Sequence, residues 1–192
     1  FNWREKMIKI ILITLVFIFT INCYSQPNCD TLSCPNNIEP TNVDWNKAGP
    51  ATISYNGCDY YVCYCWRLVN DTVQIWVDPV LNLVNPDDPD CPDNPIPPAT
   101  LAIMLKYFCN YIILNNPNNI SEFLCPPCGI SSKIYVTYHL DKCYVNGSPC
   151  LSGYVICINY YSICCNGPVR TVSWISLSSF SNCPPGCSEN CP

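Results

Sequence analysis

The stretch Gly57-Cys58-Asp59-Tyr60-Tyr61-Val62-Cys63-Tyr64-Cys65-Trp66-Arg67-Leu68 repeats every two residues. Tyr60, Val62, Tyr64, Trp66 and Leu68 fall on one side of an extended chain, and Tyr61, Cys63, Cys65 and Arg67 on the other. The sheet to which this strand belongs is therefore expected to be aromatic on one face and stapled on the other. Cys63 and Cys65 point the same way about 6.5 Å apart, a long span for a disulfide, which favours separate partners on neighbouring elements.

Working outward, Asn56-Gly57 is a tight-turn dipeptide that joins this strand to a β-rich run at Thr52–Tyr55. Asn70-Asp71 leads to a third run at Val73–Val77, so the simplest reading is a three-stranded meander. The segment Asp78–Pro97, dense in Pro, Asp and Asn, is expected to lack regular structure, because each proline removes a donor and fixes φ. A helix is expected to start near Pro98. Leu101, Met104, Leu105, Phe108, Cys109 and Ile112 recur at intervals of three and four as an apolar stripe, and Asn115-Asn116-Pro117 ends it. Cys109 lies in that stripe, where it either bridges to a sheet cysteine or packs as a buried thiol.

Beyond a loop holding Cys125-Pro-Pro-Cys128-Gly129, β character returns at Lys133–Leu140, Tyr154–Cys164 and Arg170–Leu177, with Asn166-Gly167 as a second hairpin signal. The fold class is thus α+β and disulfide-rich, two antiparallel β-hairpin or meander groups with one long helix between them. Residues 1–25 read as upstream residues and a signal peptide, 26–51 as a stapled N-terminal loop segment, and 52–192 as a single disulfide-rich α+β domain. Both groups contain a Tyr- and Cys-bearing strand followed by a strand with a central tryptophan, Trp76 or Trp174, an order that coincidence explains better than duplication.

Met7 and Lys9 precede the apolar run Ile10–Ile21, which has the length of a signal-peptide core and is short for a membrane span. Cleavage after Ser25 would free the chain. Processing at Cys23 would lipidate it, although Asn22 is a poor match to the small residue that normally precedes a lipidated cysteine. Seventeen of the eighteen cysteines lie beyond that point. They are Cys29, Cys34, Cys58, Cys63, Cys65, Cys91, Cys109, Cys125, Cys128, Cys143, Cys150, Cys157, Cys164, Cys165, Cys183, Cys187 and Cys191, all disulfide candidates. Such a framework belongs to oxidising compartments, so the expected location is secreted or at the outer cell surface. An odd count leaves one sulfur over, either a buried thiol or a covalent link to another chain.

After Ser25, six basic residues against thirteen acidic ones leave the chain near −7. That balance argues against nucleic acid, which needs a cationic footprint, and against an anionic membrane surface unless Cys23 is lipidated. Cys125-Pro-Pro-Cys128 has the CxxC spacing of thiol oxidoreductases, but the β-like run after Gly129 supplies no helix N-terminus to stabilise a thiolate. Thiolate zinc sites drawing on Cys183, Cys187 or Cys191 need reduced ligands, against the oxidising context. His139, the only histidine, sits in a strand-like context without a nucleophile motif, and reads as an ordinary strand residue. Asp87, Asp88, Asp90 and Asp93 read as an acidic connector rather than a calcium loop. Asn70, Asn119 and Asn146 begin N-glycosylation sequons.

The expectation is a non-enzymatic secreted or cell-surface protein with a structural, adhesive or binding role, with no catalytic residues, cofactor or metal. Its partner would be an extracellular protein or glycan, covalently held if the unpaired cysteine reaches it. The alternatives are a released toxin-like effector or inhibitor, and an extracellular hydrolase with an unrecognised site.

Overall fold

Asn56 and Gly57 both adopt positive φ, as do Asn70 and Asp71, and these two left-handed turns close the first meander. The computed structural model describes residues 26–91, 96–146, 148–189 and 191. Its strands are β1 (Asn46–Tyr55), β2 (Cys58–Val69), β3 (Thr72–Val77), β4 (Asn82–Leu83), β5 (Lys133–Val145), β6 (Ser148–Asn166) and β7 (Val169–Ser181), with helix α1 (Pro98–Asn115) between β4 and β5. The protein is mostly β-sheet with one long helix and eight disulfides among the described residues.

The sheet runs in the order β1-β2-β3-β5-β6-β7, with β4 pairing β2 beyond the end of β3. All neighbours are antiparallel except β3 and β5, which pair in parallel from Val73↔Tyr135 to Trp76↔Tyr138. A parallel pair needs a crossover, and α1 provides it. The two antiparallel groups therefore share one mixed sheet.

Several boundaries differ from the sequence reading. β1 begins at Asn46 rather than Thr52, inside the segment read as loop, because Gly49-Pro50 is absorbed as a bulge between Ala48 and Ala51 instead of ending the strand. Gly49 has φ +112, and a Cβ there would lie 2.7 Å from the Val62 carbonyl oxygen, so only glycine fits this close approach. β4 is a short strand within a segment read as irregular, paired with Tyr60 and Tyr61. β5, β6 and β7 all run past their expected ends, and in β6 and β7 the sheet ladder holds serine- or glycine-containing stretches that carry little intrinsic β signal.

α1 ends where Asn116 turns left-handed, φ 42°, and its side chain exchanges two hydrogen bonds with the Ile120 backbone, at 2.9 and 3.0 Å. Arg170 reaches from β7 to the same end, donating to Ile113 O at 2.8 Å and Phe123 O at 2.7 Å. The helix lays Met104, Leu105, Phe108, Cys109 and Ile112 over Tyr60, Val62 and Tyr64 of β2, Val73 and Ile75 of β3, and Tyr135 of β5.

The opposite face of the sheet is covered by residues 26–45, whose only regular structure is a 3-10 turn at Cys29–Thr31. Cys29–Cys63 and Cys34–Cys65 staple this segment to β2. Between it and the sheet lies the guanidinium of Arg67, 1 % exposed. It donates to the carbonyls of Ile38 (2.9 Å), Glu39 (3.0 Å), Pro40 (2.7 Å) and Val43 (3.0 Å), and through Nε to Gln74 Oε1 (2.7 Å). Its Cζ lies over the Trp45 ring, 4.3 Å from the ring centre. A segment with no ladder of its own is thus ordered by one side chain whose five N–H donors each find an acceptor.

The bridges divide at the helix. Cys29–Cys63, Cys34–Cys65 and Cys58–Cys91 lie before it, and Cys125–Cys165, Cys128–Cys164, Cys143–Cys183, Cys150–Cys187 and Cys157–Cys191 after it. None of the eight joins the two halves.

Candidate functional site

Where α1 crosses β5 and β6, the inward positions turn polar. Strand alternation aims Thr137 and His139 of β5, and Asn159 and Tyr161 of β6, at the helix, with Thr137 directly opposite Asn159 and His139 opposite Cys157. Cys109 lies in the part of α1 above them, with Asn110 next along it, and His139 and Thr137 are both 0 % exposed. Seven side-chain atoms here lack a hydrogen-bond partner: Asn110 Oδ1, Thr137 Oγ1, His139 Nδ1 and Nε2, Asn159 Oδ1 and Nδ2, and Tyr161 Oη. Buried polar groups are nearly always paired, so this is the most polar and least satisfied part of the interior among the described residues.

Burial sets the charge states. It pushes the Cys109 thiol up to about 12, Thr137 beside it offsetting only part of the rise. It pulls His139 down to about 4, with Lys106 adding to the effect, and raises Tyr161 to about 12. Cysteine, histidine and asparagine are the residue types of a thiol-based acyl-transfer site, but that chemistry needs a thiolate beside an imidazolium and an open path to substrate. Here burial holds both the thiol and the imidazole neutral, and the helix lies over them.

The same burial predicts an acid-sensitive fold. Unfolded, His139 takes up a proton near 6.5; folded, it does so only near 4. Its contribution is therefore fully present above about pH 6.5 and falls as the pH drops toward 4, by about 3 kcal/mol in total. Asp78 and Asp141, raised by burial, act in the opposite sense, since acidification relieves the cost of their buried charge. Denaturant unfolding of the oxidised protein across this range should show the decline, and His139→Leu should flatten it. An unchanged slope in the variant would assign the acid sensitivity elsewhere.

Sixteen of the described cysteines are joined in bridges. Cys125 and Cys128 do not pair with each other; they take the adjacent Cys165 and Cys164, while Cys128 N donates to Cys165 O at 3.0 Å and Cys165 N to Pro126 O at 2.7 Å. Cys63 and Cys65 take separate partners in the N-terminal segment. The tail cysteines Cys183, Cys187 and Cys191 bridge to β5 and β6. Among the described residues no three His, Cys, Asp or Glu side chains gather to hold a metal. Among the described residues the unpaired sulfur is Cys109. It lies at 0 % exposure, packed as a buried thiol beneath the helix. Cys23, Asp93 and the apolar run Ile10–Ile21 lie outside the described residues, among which no helix is long and apolar enough to cross a membrane.

No protein-family model matches the chain, and neither the curated proteins nor the solved structures contain a match. The surface itself must indicate what the molecule meets.

Two clefts and one strand stand out there. A cleft of about 500 Å³ lies between the β2–β3 turn and the Cys125 loop, with Asp71 and Lys133 in its walls. On the other face, Ile38, Tyr138, Ile156, Ile158 and Phe180 line a smaller one of about 340 Å³. β7 is the largest exposed apolar element, bearing Val169, Trp174, Ile175, Leu177 and Phe180. Neither the polar cluster nor β7 was singled out from the sequence. For the cluster the available signal was Asn159, a polar residue in phase with Cys157 and Tyr161, both buried.

Proposed function

We propose that this is a non-enzymatic extracellular protein, secreted or held at the outer cell surface, with a structural, adhesive or binding role toward another extracellular protein or a glycan. The observation that carries this reading is the set of eight disulfides, in which both sheet faces and both loop-rich ends are covalently fixed. A framework of this density belongs to oxidising surroundings and suits a rigid body that presents a surface rather than one that opens and closes around a substrate. The closed, uncharged Cys109–His139 environment supports the non-enzymatic part. Contact with a partner is non-covalent on this reading, and any membrane attachment would come through a lipid on Cys23.

Thiol counting on fractionated cells tests it. The protein should appear in the extracellular or outer-surface fraction, with no thiol labelled natively and one, Cys109, labelled after unfolding without reductant. Several labelled thiols in an intracellular fraction would overturn the reading. Hydrolytic activity abolished by His139→Ala would overturn its non-enzymatic part, and a wholly soluble protein in the medium would favour a released effector over a surface component.

A further inference from the structure

Cys128 is the one exposed cysteine among the described residues, and its partner Cys164 is half-buried near the end of β6. The other described bridges all join buried or half-buried residues. The loop that carries Cys128, residues 124–132, belongs to no helix or named strand. Neither that loop nor residues 164–169, which hold its bridge partner and the β6–β7 turn, contain an acidic or basic side chain, although the chain carries a net charge of −5. Leu124, Ile130 and Val169 are exposed there instead, and the cleft of about 500 Å³ begins at Leu124, Cys125 and Pro126. A reachable sulfur thus lies in an uncharged, apolar surround, the composition found at the centre of protein contacts.

The same bridge adds little to the fold. Cys125–Cys165 already ties the loop to β6, and Cys128 N donating to Cys165 O at 3.0 Å and Cys165 N to Pro126 O at 2.7 Å hold it in register. Once Cys125–Cys165 is formed, Cys128–Cys164 closes a ring of residues 125–128 and 164–165 only. Loop-closure entropy grows with the length of chain enclosed, so this second closure restricts the unfolded chain little further. Cys29–Cys63 and Cys34–Cys65 are nested in the same way, but Cys29, Cys63 and Cys65 are buried.

We propose that Cys128–Cys164 is a thiol–disulfide exchange site, opened by a protein dithiol while the rest of the fold stays closed. The partner's thiolate attacks Cys128 Sγ, the sulfur within reach, and the electron pair of the S–S bond leaves on Cys164 Sγ. The partner's second thiolate then attacks its own sulfur in the mixed disulfide, and that electron pair leaves on Cys128 Sγ. Two electrons and the two protons of the partner's dithiol end on Cys128 and Cys164, while the partner becomes a disulfide. The CxxC spacing here supplies a sulfur that is attacked rather than one that attacks, so no helix N-terminus is needed to stabilise it. The mixed disulfide exists only during exchange. This site rests on the extracellular reading only in requiring that the bridges be formed.

Limiting dithiothreitol added to the native oxidised protein, followed by alkylation and peptide mapping, tests this. Cys128 and Cys164 should be labelled first, at least about tenfold faster than any other pair, with Cys109 still unlabelled because the core has not opened. Thioredoxin whose second active-site cysteine is replaced by serine should be trapped as a mixed disulfide on Cys128. The double variant Cys128→Ser, Cys164→Ser should fold with the other seven bridges intact and trap none. First opening at another bridge, such as the half-buried Cys150–Cys187, overturns the proposal, as does labelling of Cys128 only together with Cys109. A trap on Cys164 overturns the direction of attack, and selective opening by dithiothreitol with no trapped thioredoxin overturns a protein dithiol as the reductant. A double variant that fails to fold shows that the bridge is needed for the fold and overturns the proposal too. Several thiols in the protein as isolated would instead count against the extracellular reading, so the two can fail separately.

Discussion

Replacing Arg67 with methionine is expected to lower the unfolding free energy by about 4 kcal/mol or more. Methionine fills much of the volume, so the loss is one of polar pairing. Four carbonyls of the 38–43 segment and Gln74 Oε1 lose their donor together, while the fold around them still excludes water. Arg67→Lys should recover little of this, because one ammonium on a flexible stem cannot serve five divergent acceptors or stack on Trp45. The damage should also be local. Cys29–Cys63 and Cys34–Cys65 keep the segment tethered, so limited proteolysis should find new cuts between residues 36 and 45 while the sheet stays protected. Wild-type resistance in that stretch would show that the bridges alone order it.

Phe108→Ala is expected to cost about 3–5 kcal/mol. Phe108 is fully buried midway along α1, with its ring 5.8 Å from Tyr60, 6.3 Å from Tyr55 and 6.0 Å from Tyr107. Truncation removes the aromatic contact between helix and sheet where neighbouring rings are too large to collapse inward. Phe108→Leu should lose much less, about 1–1.5 kcal/mol, because most of the volume remains. Urea unfolding of the oxidised proteins measures both. A loss below about 1 kcal/mol for the alanine variant would mean that the helix is not held there.

These two residues mark what could be read in advance. Phe108 belongs to a stripe whose spacing depends only on helical geometry, so its direction follows from neighbours three and four positions away. The facing of β2 was legible for the same reason, since alternation is a local property. Arg67 also fell on the correct face, but its task depends on carbonyls 24 to 29 residues earlier in a segment with no periodicity. Gly49-Pro50 misled because a turn signal and a bulge use the same residues, and only a neighbouring strand distinguishes them. Cys109, Thr137, His139, Asn159 and Tyr161 come together only when α1 crosses β5 and β6, a packing that no single segment encodes. The odd number of cysteines was countable; that the unpaired one would be the helix cysteine depended on which sulfurs the folded sheet brought together.

The division of the bridges at α1 bears on how the chain acquires them. Every bridge closes over 31 to 40 residues. In a chain delivered N-terminus first into an oxidising compartment, the six cysteines from Cys29 to Cys91 have all their native partners before Cys125 arrives. The first meander can thus lock while the second is still being translocated, which keeps early sulfurs from capturing late ones. The parallel β3–β5 seam is then a docking step between two pieces already cross-linked, and Cys109, on the helix between them, is the sulfur that neither circuit needs.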